Sequence, residues 1–153
     1  MTNYINRDGI SIPADKVFEA WTSNDLNKMI SVLDKNTHPV DRHYLLQGII
    51  SETYKQRKNK DKLIICRNIC EIFLNEWPKL ADALGRGYGR QLPRILVFPY
   101  YATILAEAGE NDKAITVCEI AIEYKLNDGT KSGFKGRIER LLKQKSKNKN
   151  EIK

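Results

Sequence analysis

Apolar residues recur three and four positions apart along most of the chain, which is the pattern of helices that turn one face toward a core. Clusters of Asn, Asp, Gly and Pro that favour turns stand between these stretches. The pattern therefore predicts an all-helical chain of about seven helices. Their approximate bounds are 13–22, 24–35, 40–55, 61–84, 93–108, 111–126 and 134–143.

The fourth predicted helix has the densest apolar pattern. Aliphatic, cysteine and aromatic side chains cover most of its circumference between Leu63 and Trp77. A helix of this kind must be covered on several sides, so we expect it in the middle of the core. Pro78 is expected to stop or kink it, with one or two further turns to Leu84.

The chain contains an internal repeat with a shift of 51 residues. In this register Asp61-Lys62-Leu63-Ile64 falls on Asp112-Lys113-Ala114-Ile115. Each copy spans two helical stretches joined by a short polar turn, which is typical of helical repeats. The sequence therefore predicts two helical hairpins of the same design, at 44–77 and 95–128.

The second hairpin resembles a tetratricopeptide repeat over its 34 positions. Small side chains let paired helices approach closely, while bulky ones fill the groove beside them. The first hairpin is similar at fewer positions, among them Ser51, Tyr54 and Cys70. In the second hairpin the matching aromatic, small and bulky positions are Phe98, Ala102, Leu105, Ala114 and Ala121.

The resemblance implies an all-α fold of antiparallel helical hairpins of the α–α superhelix type. A repeat hairpin cannot cover both of its faces, so the helices at 13–35 and 134–143 are expected to act as caps. Residues 1–143 would then form a single domain. Seventeen residues, 78–94, separate the hairpins, where a regular array has none. Whether the two hairpins form a regular superhelix is left open.

The net charge of +7 lies entirely in the last 23 residues. Residues 131–153 hold nine basic and two acidic side chains, whereas residues 1–130 hold 17 of each. The final segment, 144–153, has one apolar residue and cannot bury enough surface to offset the entropy of ordering it. We therefore expect 144–153 to be a disordered basic tail.

The resemblance also implies a function, because tetratricopeptide arrays usually present the inner face of their first helices to a peptide. The chain is expected to be a non-catalytic adaptor for protein or peptide partners. The charges predicted for that face are mixed and do not indicate the sign of the ligand. The residues that would line it are Glu52, Lys55, Gln56, Thr103 and Glu107.

Nucleic-acid binding is the alternative, because Lys and Arg release counterions from phosphates. It would use the basic residues of 131–153 together with Arg86, Arg90 and Arg94. Three glycines also predict that residues 85–92 form a mobile loop that a partner orders. This loop region combines cations with one aromatic ring, a pairing that can stack on bases and neutralise phosphates. The candidate residues are Arg86, Tyr88, Arg90 and Arg94.

No catalytic, metal or cofactor site is expected. Cys66 and Cys70 stand four positions apart on one helix, but the two histidines, His38 and His43, have no matching ligand spacing. His43 with Asp41 and a cysteine could form a nucleophile and base, yet nothing in the sequence brings them together. The glycine run has neither the order of a dinucleotide loop nor that of a phosphate loop.

The sequence indicates a cytoplasmic location. Its apolar stretches are far shorter than the roughly 20 residues that cross a bilayer, so no membrane contact is expected. Residues 1–12 do not have the order of a secretory signal. The odd number of cysteines, three, fits free thiols in a reducing compartment. The oligomeric state, the partner's identity and the pathway are not encoded in any of these patterns.

Overall fold

The computed structural model describes residues 3–87 and 91–152, and it divides the chain into two compact units, Met1–Pro93 and Arg94–Lys153. The first unit contains β1 (Tyr4–Arg7), β2 (Ile10–Pro13), α1 (Lys16–Ser23), α2 (Leu26–Ser31), α3 (Pro39–Lys55) and α4 (Lys60–Gly87). The second contains α5 (Val97–Glu107), α6 (Asn111–Glu123) and α7 (Gly133–Ile152).

The predicted all-helical class is confirmed. Most of the described residues are helical, and they form seven helices beside one two-stranded sheet. Each predicted hairpin lies in its own unit: α3 packs on α4 in the first, and α5 packs on α6 in the second. A single domain over 1–143 stays a prediction. No helix in 3–87 or 91–152 combines the length and hydropathy that crossing a bilayer requires.

The sheet is an antiparallel hairpin that the helical prediction did not include. Arg7 faces Ile10 at its end, and Asp8 and Gly9 between them have φ values of 55° and 78°. Two consecutive residues with positive φ match the tight turn that joins twisted strands, and Asp-Gly is a preferred pair for it. Pro13, which was predicted to begin the first helix, ends β2 instead.

Aspartate caps fix the starts of the first two helices later than predicted. The carboxylate of Asp15 accepts a hydrogen bond from the Phe18 amide at 2.8 Å, and that of Asp25 accepts one from the Lys28 amide at 3.1 Å. Each cap satisfies an amide that has no partner within the helix. The Met29 side chain of α2 approaches α3 at Gly48, where a Cβ would lie 2.8 Å from its sulfur.

Helix α4 runs through Pro78 as one element of 28 residues. Phe73, Trp77 and Leu84 are all buried, so apolar burial continues on both sides of the proline. The prediction of a glycine loop beginning at residue 85 is wrong for 85–87, which lie in the last turn of α4. Arg86 pairs there with Asp82 one turn earlier, and such a pair supports a helical turn.

The second unit starts its first helix at Val97, four residues after the predicted start at Pro93. Pro99 thereby lies in the first turn, where its missing N–H costs no hydrogen bond. Gly109, with φ of 79°, makes the turn into α6. The final helix, α7, continues to Ile152 and so includes most of the segment predicted to be a disordered tail.

Candidate functional site

A groove on the second unit lies between α5 and α7 and encloses a cavity of about 300 Å³. Two of the five residues predicted to face a partner, Thr103 and Glu107, line its α5 side. Both side chains therefore lie on a concave surface, and their contact with a partner stays a prediction. The complete lining is Ala102, Thr103, Ala106 and Glu107 from α5, with Arg137, Arg140, Leu141 and Gln144 from α7.

The α7 side of the groove is held by a buried carboxylate. Asp128, whose side chain has no solvent exposure, accepts hydrogen bonds from the amide and hydroxyl of Thr130 at 2.9 and 2.6 Å and from Arg137 Nε at 2.7 Å. Arg137 Nη1 also reaches Thr103 Oγ1 at 3.4 Å. One guanidinium thus connects the loop before α7 with α5 across the end of the groove.

Burial alone would raise the pKa of Asp128, but the hydrogen bonds from Thr130 and Arg137 outweigh it and hold the pKa below its usual value. The carboxylate is therefore ionised at neutral pH and neutralises Arg137. Arg137 is consequently a fixed part of the wall, already paired within the fold.

Arg140 is the groove cation that has no carboxylate partner among the described residues. Its side chain is exposed, and its one hydrogen bond there joins Nη1 to Ser132 Oγ at 3.3 Å. Leu141, which is 8% exposed, and the methyl groups of Ala102 and Ala106 give the groove an apolar surface beside this cation. The groove can therefore accept an apolar side chain and a carboxylate at adjacent points.

The other three predicted partner-facing residues lie together at the end of α3 in the first unit. Lys55 Nζ binds Glu52 Oε1 at 3.1 Å, and the Gln56 side chain donates to the Glu52 carbonyl at 3.3 Å. Glu52 and Lys55 therefore neutralise each other. They belong to the first unit, whereas Thr103 and Glu107 belong to the second.

The loop predicted to bind nucleic acid is only partly described. Arg86 pairs with Asp82 and lies 3.4 Å from Asp8 in the first unit. Arg94 belongs to the second unit and donates to the Asp128 carbonyl at 3.4 Å. Tyr88 and Arg90 lie outside the described residues. The two described arginines thus make contacts within their own units.

The histidines occupy structural positions. His38 caps α3, because Nδ1 accepts from the Val40 amide at 3.1 Å while Nε2 lies 2.9 Å from the Asp8 carboxylate. Both of its nitrogens are therefore occupied. His43 is fully buried, and neither of its nitrogens has a hydrogen-bond partner among the described residues. Burial lowers the pKa of His43 to about 4.

The cysteines are free and buried, on α4 and α6. A hydrogen bond from Cys70 lowers the pKa of Cys66, and that same hydrogen bond together with burial raises the pKa of Cys70. Burial raises the pKa of Cys118 to about 11. Within 3–87 and 91–152, no three His, Cys, Asp or Glu side chains form a group that could hold a metal ion.

Sequence reasoning missed the α7 wall of the groove. Residues 134–143 were predicted as a capping helix, so Arg137, Arg140 and Leu141 were not proposed as part of a peptide-binding surface. Their spacing, with Gln144, is three, four and seven residues, which places them on one helix face. That spacing is the signal from which the wall could have been predicted.

Comparison of the chain with protein-family models, with curated proteins and with solved structures finds no match.

Proposed function

We propose that this chain is a non-catalytic protein-binding module whose α5–α7 groove holds a short peptide segment of a partner. The observation that carries the proposal is the groove itself, in which an apolar surface lies beside an exposed arginine without a carboxylate partner among the described residues. The tetratricopeptide resemblance supports it, because the first helix of such a repeat contributes the peptide-facing side chains, and α5 is that helix here.

The chemistry of the groove indicates the kind of peptide. A cavity of about 300 Å³ is at the small end of ligand pockets, so it fits one or two side chains rather than a large ligand. The planar guanidinium of Arg140 can bind a carboxylate through two parallel hydrogen bonds. We therefore expect a segment with an apolar residue close to an acidic one.

A cytoplasmic location is part of the proposal. The three cysteines are buried thiols in the structure, and free thiols persist in a reducing compartment. The surface formed by Glu52, Lys55 and Gln56 is a further candidate contact, although its charged pair must separate before either side chain binds a partner.

The proposal is tested by selecting binders from a random peptide library on the purified full chain. Ala106→Arg fills the groove with a bulky cation, whereas Ala108→Arg places the same residue just beyond α5 at an exposed position. The selected peptides should bind the wild type and Ala108→Arg and lose affinity at least about tenfold for Ala106→Arg, which corresponds to 1.4 kcal/mol.

Arg140→Gln provides the second arm of this test. This variant should have lower affinity for peptides that contain Asp or Glu. Its affinity for control peptides in which Asn or Gln replaces the acidic residue should be unchanged. If no peptide is selected, or if selected peptides bind Ala106→Arg as well as the wild type, the groove is not the binding site. Alanine at each of the five predicted positions, Glu52, Lys55, Gln56, Thr103 and Glu107, then locates any surface that the selected peptides use instead.

A further inference from the structure

The turn between α3 and α4 carries the densest run of positive charge in the first unit. Five basic residues stand in the eight positions from 55 to 62, against one acidic residue, Asp61. The run begins at the last residue of α3 and ends in the first turn of α4, so the cations are gathered at one end of a helical hairpin. The five are Lys55, Arg57, Lys58, Lys60 and Lys62.

Three of these cations form no ion pair with the residues that the structure describes. The ammonium groups of Lys58, Lys60 and Lys62 make no hydrogen bond or ion pair with any described residue. Lys58 and Lys60 are exposed, and Lys62 is half-buried. Lys55 differs, because its ammonium binds Glu52 at 3.1 Å. These three ammonium groups therefore have no ionic partner among the described residues.

Two of these lysines, Lys60 and Lys62, also lie at an unfavourable position on α4. Helix α4 begins at Lys60, and Asn59 Oδ1 accepts from the Lys62 amide at 3.1 Å. The amino-terminal end of a helix carries a partial positive charge, so lysine side chains there lower the stability of the helix. A negatively charged ligand would bind these lysines and would also interact favourably with the helix end.

Arg57 gives the same surface a planar element. Its guanidinium lies over the Tyr54 ring, 4.1 Å from the ring centroid, and Nη1 donates to the Tyr54 carbonyl at 3.2 Å. Stacking and hydrogen bonding hold the guanidinium plane in place before any ligand binds. Unpaired bases stack on arginine planes of this kind.

We propose that this basic turn, residues 55–62, is a binding surface for single-stranded nucleic acid. Lys58, Lys60 and Lys62 contact consecutive phosphates, and Arg57 stacks on a base. The arrangement is that of sequence-tolerant single-strand binders, which combine cations with stacking planes. The site goes beyond the peptide groove, because it lies in the first unit and shares no residue with the second.

The experiment measures fluorescence anisotropy of labelled 16-nucleotide oligo(U) with the full chain at 50 and 200 mM KCl. The wild type should bind more weakly at the higher salt. The triple variant Lys58→Gln/Lys60→Gln/Lys62→Gln should reduce the slope of log affinity against log salt by about 2, because each phosphate contact on a single strand contributes about 0.7.

A matched triple variant separates this surface from net charge alone. Lys28→Gln/Lys35→Gln/Lys79→Gln removes the same charge from exposed lysines of the same unit. Lys79 lies far from the basic turn, because it lines a cavity with Thr37 and Pro39 at the start of α3, whereas the turn follows the end of α3. Helix α3 is about 25 Å long at 1.5 Å per residue. This variant should keep the wild-type salt slope. Circular dichroism of both variants checks that they fold.

Arg57→Lys keeps the charge but removes the stacking plane. It should lower the affinity for oligo(U) and leave the affinity for an abasic strand of equal length unchanged. Undetectable binding at 50 mM KCl, or equal losses in the two triple variants, overturns the proposal. Tighter binding to poly-glutamate or to vesicles with anionic headgroups than to oligo(U) also overturns it. Vesicles are included because Ile64, which is 50% exposed, lies close to the turn in sequence and could enter a lipid surface.

Discussion

Arg137 donates from Nε to the fully buried carboxylate of Asp128 at 2.7 Å, and this pair fixes the helix that forms one wall of the candidate groove. The contact joins the loop after α6 to the first half of α7. Because the same guanidinium reaches Thr103 on α5, the two walls of the groove depend on one ion pair.

Asp128→Ala should lower the free energy of unfolding by about 2 kcal/mol, since it removes three hydrogen bonds that involve a charged group. Lys145→Ala is the matched control. It breaks the ion pair with Asp112, which is largely exposed and joins α7 to α6 at 2.5 Å, and should cost about 0.5 kcal/mol or less. Urea denaturation measures both. Equal losses would show that Asp128 is no more important to α7 than a surface ion pair.

Substitutions at Gly109 test the geometry of the turn between α5 and α6. Its φ is 79°, and a Cβ there would meet no atom within 4 Å, so a side chain would be opposed by backbone conformation alone. Gly109→Ala should therefore cost about 1 kcal/mol. Gly109→Asn should cost less, because Asn tolerates the left-handed region. Thermal unfolding ranks the three proteins, and an alanine variant as stable as wild type would contradict this turn geometry.

The helices could be predicted because their apolar spacing is regular, whereas their ends depend on individual hydrogen bonds. Asp15 and Asp25 cap α1 and α2, and sequence alone does not show which of several adjacent polar residues will do so. Pro78 was expected to stop or kink the fourth helix before further turns to Leu84, and the structure has one helix through the proline, with Leu84 buried beyond it. The four-residue strands were too short to show an alternation.

The sequence predicted side chains of the α5 wall of the candidate groove but not those of the α7 wall. Thr103 and Glu107 were predicted to face a partner because the repeat resemblance implies which helix face turns inward, and the structure places both in the lining of the groove. Arg137 and Arg140 follow from the docking of α7, which depends on Asp128 in a loop between elements. Local spacing shows that Arg137, Arg140 and Leu141 share one helix face, but it does not show that this face lies opposite α5. That part of the α7 wall required the structure.

A substitution near the end of α7 tests whether this segment is helical, as in the structure, or disordered, as its composition predicts. Helix continues through residues 144–147 to Ile152 although the segment is almost wholly polar, because Lys, Gln and Glu are good helix formers. Ser146→Pro should reduce the ellipticity at 222 nm, since proline in a helix interior costs about 3 kcal/mol. Ser146→Ala should leave the signal unchanged or increase it. An unchanged signal with proline would show that 144–153 is the disordered tail that composition predicted.

Because His43 is buried, we expect the first unit to lose stability in mild acid. The unfolded histidine takes up a proton near pH 6.5, whereas burial lowers the folded pKa to about 4. Between these values the unfolded state binds more protons, so stability falls as the pH falls from 6.5 toward 4. The loss can reach about 3 kcal/mol. Above pH 6.5 this residue contributes no pH dependence.

Urea denaturation at pH 7.5 and pH 5.0 measures this effect. His43→Leu removes the titrating group from its place beside Tyr44 and Phe73, so the variant should lose less stability than the wild type on going to pH 5.0. His38→Asn is the control, because Asn can still cap α3 while His43 remains. It should keep the wild-type acid sensitivity. If His43→Leu is as acid-sensitive as the wild type, protonation of other groups causes the loss, and His43 is hydrated or bonded in solution.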